Sequence, residues 1–218
     1  MSSLTLLSIH CGEPEKLTDH KGRSYQSSIK RPEVTDSVQV SFSGFKGDLC
    51  EFEDHRTRDR AVCFFAEEGY EEIETHYGQK LERPAFGENI RIQGMSDREI
   101  CIGDQIKIED VILEVSHPRE PCANVVKASG LSDLVKVMCR LPVTGFLARV
   151  KDSGILSYKS KAEVISRPNP DVSIHYLNET LYKEFKDSER VEKVLNIPQL
   201  ADNWRFSLRK KSKLALKN

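Results

Sequence analysis

Ile100-Cys-Ile-Gly-Asp-Gln-Ile-Lys-Ile-Glu-Asp-Val-Ile-Leu-Glu-Val-Ser116 alternates apolar and polar residues on either side of the polar pair Glu109-Asp110. A two-residue period puts one face of a strand in a core and the other outside it, so the segment reads as a β-hairpin. Its second strand runs directly into His117-Pro-Arg-Glu-Pro-Cys122. Neighbouring segments continue the β pattern. Val38-Gln-Val-Ser-Phe42 alternates, Ala61-Val-Cys-Phe-Phe65 is a continuous apolar run of strand length, and Ala162-Glu-Val-Ile165 reads as a closing strand. The run Leu4–Ile9 has no basic region before it and no small-residue cleavage pattern after it, so a first strand is expected there rather than a leader. One helix interrupts the strands: residues 66–77 place Tyr70, Ile73 and Tyr77 on one face, and Gly78 is a stop signal. Ser132 is a candidate cap for a second helix carrying Leu134, Val135 and Met138.

After Arg167-Pro-Asn-Pro-Asp171 the period changes. Two prolines within three residues break a regular element, and the residues beyond them have helical spacing: Ile174, Leu177, Leu181 and Phe185; Val191, Val194 and Leu195; Leu200, Trp204 and Leu208. The expected organisation is a mainly β domain over residues 1–167 and a small three-helix domain over 168–218. The lysine-rich Arg209–Lys213 reads as a solvated end.

The whole chain of 218 residues is 38% hydrophobic and carries 33 basic against 34 acidic residues. That is enough apolar material for a core, and the charge balance argues against a dedicated nucleic-acid or membrane binder. No stretch approaches the ~18 apolar residues of a spanning helix. Six cysteines, spread along a chain too large to need staples, read as reduced thiols in the cytoplasm.

Pro118-Arg-Glu-Pro-Cys122 is the strongest chemical signal. Two prolines restrict the backbone around Arg119, and a guanidinium with a helix start beyond it favours a Cys122 thiolate, a nucleophile and soft metal ligand. Any single cysteine taken alone is more often a buried structural thiol. His55-Arg-Thr-Arg-Asp-Arg60 is either an anion site or a solvated turn. Pro84-Ala-Phe-Gly-Glu-Asn-Ile90 and Ser27-Ser28-Ile29-Lys30 offer polar groups near strand ends, though taken alone the first reads by default as an ordinary turn and the second as an ordinary exposed segment. No zinc-type pairing occurs among Cys50, His55, Cys63, His117 and Cys122, and no hydrolase, Walker or dinucleotide motif is present.

Taken in order, Ser28-Ile29-Lys30, Gly47-Asp48, His55 with Asp59-Arg60-Ala61, Pro84-Ala-Phe-Gly-Glu-Asn89, Gly103-Asp104, Pro118-Arg-x-Pro-Cys122, Gly145, Ser166-Arg167 and Asn203-Trp204 resemble the bacterial YiiM-type MOSC proteins. The resemblance implies a MOSC β-barrel-like domain followed by a three-helix domain. It implies reduction of N-hydroxylated bases such as 6-hydroxylaminopurine with the molybdenum cofactor, Cys122 being both the catalytic residue and the molybdenum ligand. Ser28, Lys30, His55, Arg60, Glu88, Asn89 and Arg119 are then the cofactor-binding positions, and a separate flavin or iron–sulfur reductase is the electron donor. Two other functions stay open: a sulfur carrier with a Cys122 persulfide, where Lys30 is a candidate for the pyridoxal phosphate link of the wider family, and a non-catalytic anion- or cofactor-binding module. The helical appendage is a candidate homodimer contact. The chain departs from the family at His55-Arg56-Thr57, where His-Gly-Gly is usual, and the close backbone approach that two glycines permit is lost.

Overall fold

The structure is a computed structural model that describes residues 3–50, 57–158 and 160–215. Its strands are β1 (Ser3–Ile9), β2 (Glu15–Thr18), β3 (Ser24–Ser27), β4 (Ser37–Ser41), β5 (Gly44–Phe45), β6 (Val62–Ala66), β7 (Ile90–Gln93), β8 (Gln105–Ile108), β9 (Val111–Pro118), β10 (Phe146–Asp152), β11 (Gly154–Ser157) and β12 (Lys161–Ser166). The helices are α1 (Glu67–Tyr77), α2 (Ala123–Ser129), α3 (Leu134–Arg140), α4 (Ile174–Tyr182), α5 (Ser188–Leu195) and α6 (Asp202–Ala215).

Seven strands close a barrel in the order β1-β12-β8-β9-β10-β6-β7, with β7 returning to β1. Closure leaves the barrel without a free edge. All neighbours are antiparallel except β6 and β7, where Phe64 lies opposite Ile90 in a parallel pair. Parallel neighbours need a crossover, and α1 with the loop after it supplies it. The hairpin expected at Glu109-Asp110 is present: Ile108 faces Val111 across a two-residue turn. Glu109 takes φ +51 there, and its carboxylate accepts a hydrogen bond from Ser160 Oγ at 2.6 Å. The first strand of that hairpin is shorter than its sequence pattern, because Ile100 to Gly103 is held in place by other partners. Cys101 bridges to Ser173, and its N–H donates to the Asp104 carboxylate. The alternating segment at 38–42 forms β4, which pairs with β11 and β5 in a separate three-stranded sheet outside the barrel.

Ser132 does not cap a helix. The turn at 131–133 places α3 one residue further on, after Asp133, whose carboxylate accepts from the Tyr77 hydroxyl at 2.8 Å instead of from the helix.

The stripes read after residue 171 become α4, α5 and α6, except that Phe185 falls in the turn after α4 and Leu200 in the segment before α6. Ser173 caps α4 through Tyr176 N–H, and Asp187 caps α5 through Arg190 N–H. Ile174, Leu177, Leu181, Val191, Val194, Trp204 and Leu208 are buried in the same apolar cluster as the barrel interior. Polar ties reinforce the join: Ala201 N–H donates to Ser116 O on β9, and Arg149 on β10 reaches Glu114, Asp59 and the Gln199 carbonyl at 2.7, 2.7 and 3.0 Å.

β10 is entered through a tightly held turn. Gly145 has φ +71, and a Cβ there would collide with the Phe64 carbonyl and the Phe65 ring. The N–H groups of Thr144 and Gly145 both donate to Asp97 Oδ2, at 2.8 and 3.0 Å. Burial of Asp97 pushes its carboxyl up to about 6 despite these two donors.

Two outcomes are expected. Gly145→Ala should lose at least about 2 kcal/mol of stability through backbone strain and collision, seen as a melting temperature lower by roughly 4–8 °C. Asp97, with its folded pKa raised above the unfolded value, contributes stability below about pH 4 that is lost as pH rises through 6. Asp97→Asn keeps an acceptor and removes the charge, so its stability relative to wild type should rise by about 2 kcal/mol from pH 4 to pH 7 in denaturant titrations. A pH-independent difference would rule out that account of Asp97.

Candidate functional site

The five residues of β6 are all buried, because both faces of the strand are covered. Val62, Phe64 and Ala66 point into the barrel, where the Phe64 and Phe146 rings stack at 4.8 Å. Phe65 faces outward into a second apolar cluster with Tyr70, Phe86 and Val125, its ring 4.1 Å from that of Phe86. Cys63, also outward, and Leu147 of β10 form the back wall of a cavity of about 290 Å³. That is close to the lower end of the range for small-ligand sites.

Cys122 lines this cavity. It is half-buried in extended backbone (φ −109°, ψ 170°) just before the first turn of α2, and its side chain makes no cap to the helix. Arg119 lines it too. The loop is anchored behind by Arg119 N–H donating to the Gly145 carbonyl at 3.0 Å. Arg60 enters from the short 3-10 turn Arg58–Arg60. Arg119 Nη1 and Arg60 Nε are both buried and have no hydrogen-bond partner among the described residues. Neither guanidinium has a carboxylate within ion-pair distance among them. Buried donors are nearly always satisfied, so this pair marks a place suited to acceptors that the described residues do not supply.

The remaining cavity polar groups are largely committed to one another. Arg31 Nε pairs with Asp48 Oδ1 at 2.6 Å, and its Nη1 donates to the carbonyls of Ser28 and Gly87. Asn89 donates to Asp48 Oδ2 at 3.0 Å and accepts from Cys63 N–H at 3.0 Å. Asn124 Nδ2 donates to Ser27 Oγ at 3.1 Å. Burial pushes the Cys63 thiol up to about 11, so it stays protonated at neutral pH. Beside the site, His117 is held down to about 4 by burial and the Arg60 charge. It is therefore neutral, with Nδ1–H donating to Pro118 O at 2.8 Å.

Of the positions singled out from sequence, Ser28, Arg60, Asn89, Arg119 and Cys122 line the one cavity. Glu88 does not. It turns away beneath the wall, accepting from the Tyr70 hydroxyl and from Phe86 N–H, which fixes Phe86 and Gly87 at the rim. Lys30 does not line it either, since its ammonium pairs with Glu82 at 3.0 Å on the exposed side. Ser28 to Lys30 form a bend and turn after β3, which leaves Lys30 on the exposed side while Arg31 reaches back to Asp48 and to the Ser28 and Gly87 carbonyls. Arg31, in the cavity floor, is the basic residue of that segment that sequence reading missed, because its place is set by Asp48 from further along the chain. Asn124 carried no sequence signal, because its role depends on where α2 docks. His55 lies outside the described residues. Among those residues no three histidine, cysteine or acidic side chains converge as a metal cluster, and none of the helices is long and apolar enough to cross a membrane.

Residues 51–161, half of the chain, match the model of the MOSC domain, and residues 172–211 match that of the YiiM-like, 3-alpha helix domain. YflK from Bacillus subtilis (strain 168) is 29% identical over 208 residues, covering 95% of this chain and 94% of that one. A Gibberella moniliformis protein named Reductase is 28% identical over 173 residues, which are 78% of this chain and 30% of that longer one. The solved structure of YiiM from Geobacillus stearothermophilus has a TM-score of 0.79 at 26% identity, covering 96% of this chain and 99% of that chain. MOSC domains are associated with the molybdenum cofactor in general. A closed barrel with a cysteine-lined cavity, followed by three helices and matched by both models, makes this chain a member of the MOSC-domain family, of the YiiM type.

Proposed function

We propose that the protein is a molybdenum-cofactor-dependent oxidoreductase that reduces N-hydroxylated bases such as 6-hydroxylaminopurine, with Cys122 as the protein's ligand to molybdenum. The observation that carries this reading is the pair of buried guanidinium nitrogens, on Arg60 and Arg119, that have no partner among the described residues, in the cavity that Cys122 lines. A soft thiol beside donors that await acceptors suits a cofactor combining a thiophilic metal with a phosphate-bearing pterin. Of the cavity's thiols, Cys63 is held protonated by burial, and with no cluster of three metal-ligating side chains among the described residues the metal's other positions would fall to the cofactor.

Bound there, the cofactor supplies two-electron redox chemistry. The chain's own residues bind and orient. Arg60 and Arg119 hold the anionic part by charge-assisted hydrogen bonds. The Arg31–Asp48–Asn89 network keeps the floor rigid by using its own polar groups internally. Phe86 and Phe65, stacked behind the rim, keep water from that side. Pro118 and Pro121 limit the excursions of the thiol between them and α2. Electrons come from a separate flavin or iron–sulfur reductase. A redox role is also favoured by the fungal relative, in which a segment like this chain occupies part of a longer protein bearing the name Reductase.

The test is to purify the protein from cells supplied with molybdenum cofactor and measure metal by mass spectrometry. Wild type should carry molybdenum and Cys122→Ala should lose most of it. Arg60→Ala and Arg119→Ala should each weaken retention by about tenfold or more, as for loss of one charged hydrogen bond. Wild type should also consume 6-hydroxylaminopurine with dithionite-reduced methyl viologen as donor. Equal, near-zero molybdenum in wild type and Cys122→Ala would overturn the proposal.

A further inference from the structure

The backbone that presents Arg119 to the cavity is held by hydrogen bonds that begin in the C-terminal helices. Arg119 N–H donates to the Gly145 carbonyl at 3.0 Å. That same oxygen accepts from the Thr144 hydroxyl, also at 3.0 Å. Thr144 Oγ1 in turn accepts from Asn178 Nδ2 on α4 at 2.8 Å, and Asn178 Nδ2 lies 3.4 Å from the Pro142 carbonyl. Asp97, whose Oδ2 holds the N–H groups of Thr144 and Gly145, gives its own carbonyl to His175 N–H in the first turn of α4 at 2.7 Å. Thr144 and Asn178 have no solvent exposure, and Asp97 only 3%.

Asn178 is an unexpected residue for a position facing the core. Its amide oxygen is buried without a partner among the described residues, so the side chain carries a desolvation cost that an apolar residue would avoid. Its contacts to the 142–144 turn are what that cost maintains. Gly145 is packed so closely that a Cβ there would meet the Phe64 carbonyl and the Phe65 ring, while α4 holds the turn from behind through Asn178.

We infer that Asn178 and Thr144 are positioning residues for Arg119, and that the three-helix domain is thereby part of the anion-holding machinery of the cavity. The inference rests on the cofactor reading above. Thr144→Val removes both the hydroxyl donor to Gly145 O and the acceptor for Asn178 at nearly constant shape. Thr144→Ser keeps both. Linked networks of this kind modulate binding by roughly 0.5–2 kcal/mol, about twofold to thirtyfold.

The experiment tracks the first-order loss of molybdenum from the purified full-length holoprotein during dialysis, by mass spectrometry. Thr144→Val and Asn178→Ala should release molybdenum about threefold to tenfold faster than wild type, with Thr144→Ser at the wild-type rate. In an Arg119→Ala background, Thr144→Val should add nothing, because the group it positions is gone. Faster release in Arg119→Ala with Thr144→Val at the wild-type rate would overturn this inference and leave the cofactor reading standing. An equal effect of Thr144→Val with and without Arg119 would show a structural role only, and overturn it too. Wild type with no molybdenum at the outset would fail the cofactor reading itself, and this inference with it.

Discussion

The two-residue period of β6 divides the molecule. Val62, Phe64 and Ala66 belong to the barrel interior, while Cys63 and Phe65 belong to the space outside the wall. A slip of one residue would exchange these sets, placing a thiol in the barrel core and a phenylalanine core residue in the cavity. Two neighbours hold the register. Phe64 lies opposite Phe146 on one side and Ile90 on the other, and the outward Cys63 N–H is taken by the Asn89 side chain. The cavity therefore lies against the outer surface of the barrel wall.

This placement explains the distribution of charge. Arg31 is nearly fully buried, and such a guanidinium is tolerable only if it is paired and its other donors are used; Asp48 and two carbonyls meet that need. Arg60 and Arg119 are not provided for in this way among the described residues. One arginine makes structure, and the other two are left with donors available. On the opposite flank, Arg83 joins Glu67 and Glu74 and lies over the Tyr70 ring at 4.0 Å, so α1 and the rim loop at 84–88 are tied together.

Much of this was legible in the amino-acid order. The hairpin at Glu109-Asp110 and the helical stripes after residue 171 are local periodicities, and local periodicity survives into the fold; the apolar run at 61–65 gave a strand but not which of its residues face the barrel. The Pro118–Cys122 loop was legible for a different reason, since two prolines restrict a backbone whatever surrounds it. What was not legible depends on long-range contact. Glu88 and Asn89 are adjacent and equally polar, yet one goes under the wall and the other into the cavity, because Tyr70 and Asp48 arrive from elsewhere in the chain. Lys30 looked like the cation of its segment, yet it turns out to Glu82 while Arg31, the next residue, is drawn in by Asp48. The short first strand of the hairpin has the same origin, for Ser173, beyond the barrel, takes the pairing that Cys101 would have given a neighbouring strand.

The apolar interior is not one body. The barrel and the C-terminal helices share one cluster, while Ile29, Phe65, Tyr70, Phe86 and Val125 form another, and the cavity opens along the seam, touching Phe45 and Ala61 of the first and Ile29 and Phe86 of the second. Whatever fills that seam acts as mortar between two cores that otherwise meet mainly through β6. Its binding energy adds directly to the folding free energy, growing with the logarithm of ligand concentration over its dissociation constant. The empty protein should then open first along this line, with α1 to α3 and the rim loops loosening while the barrel persists. Supply of the ligand would consequently govern how much of the chain survives in the cell as well as what it does there.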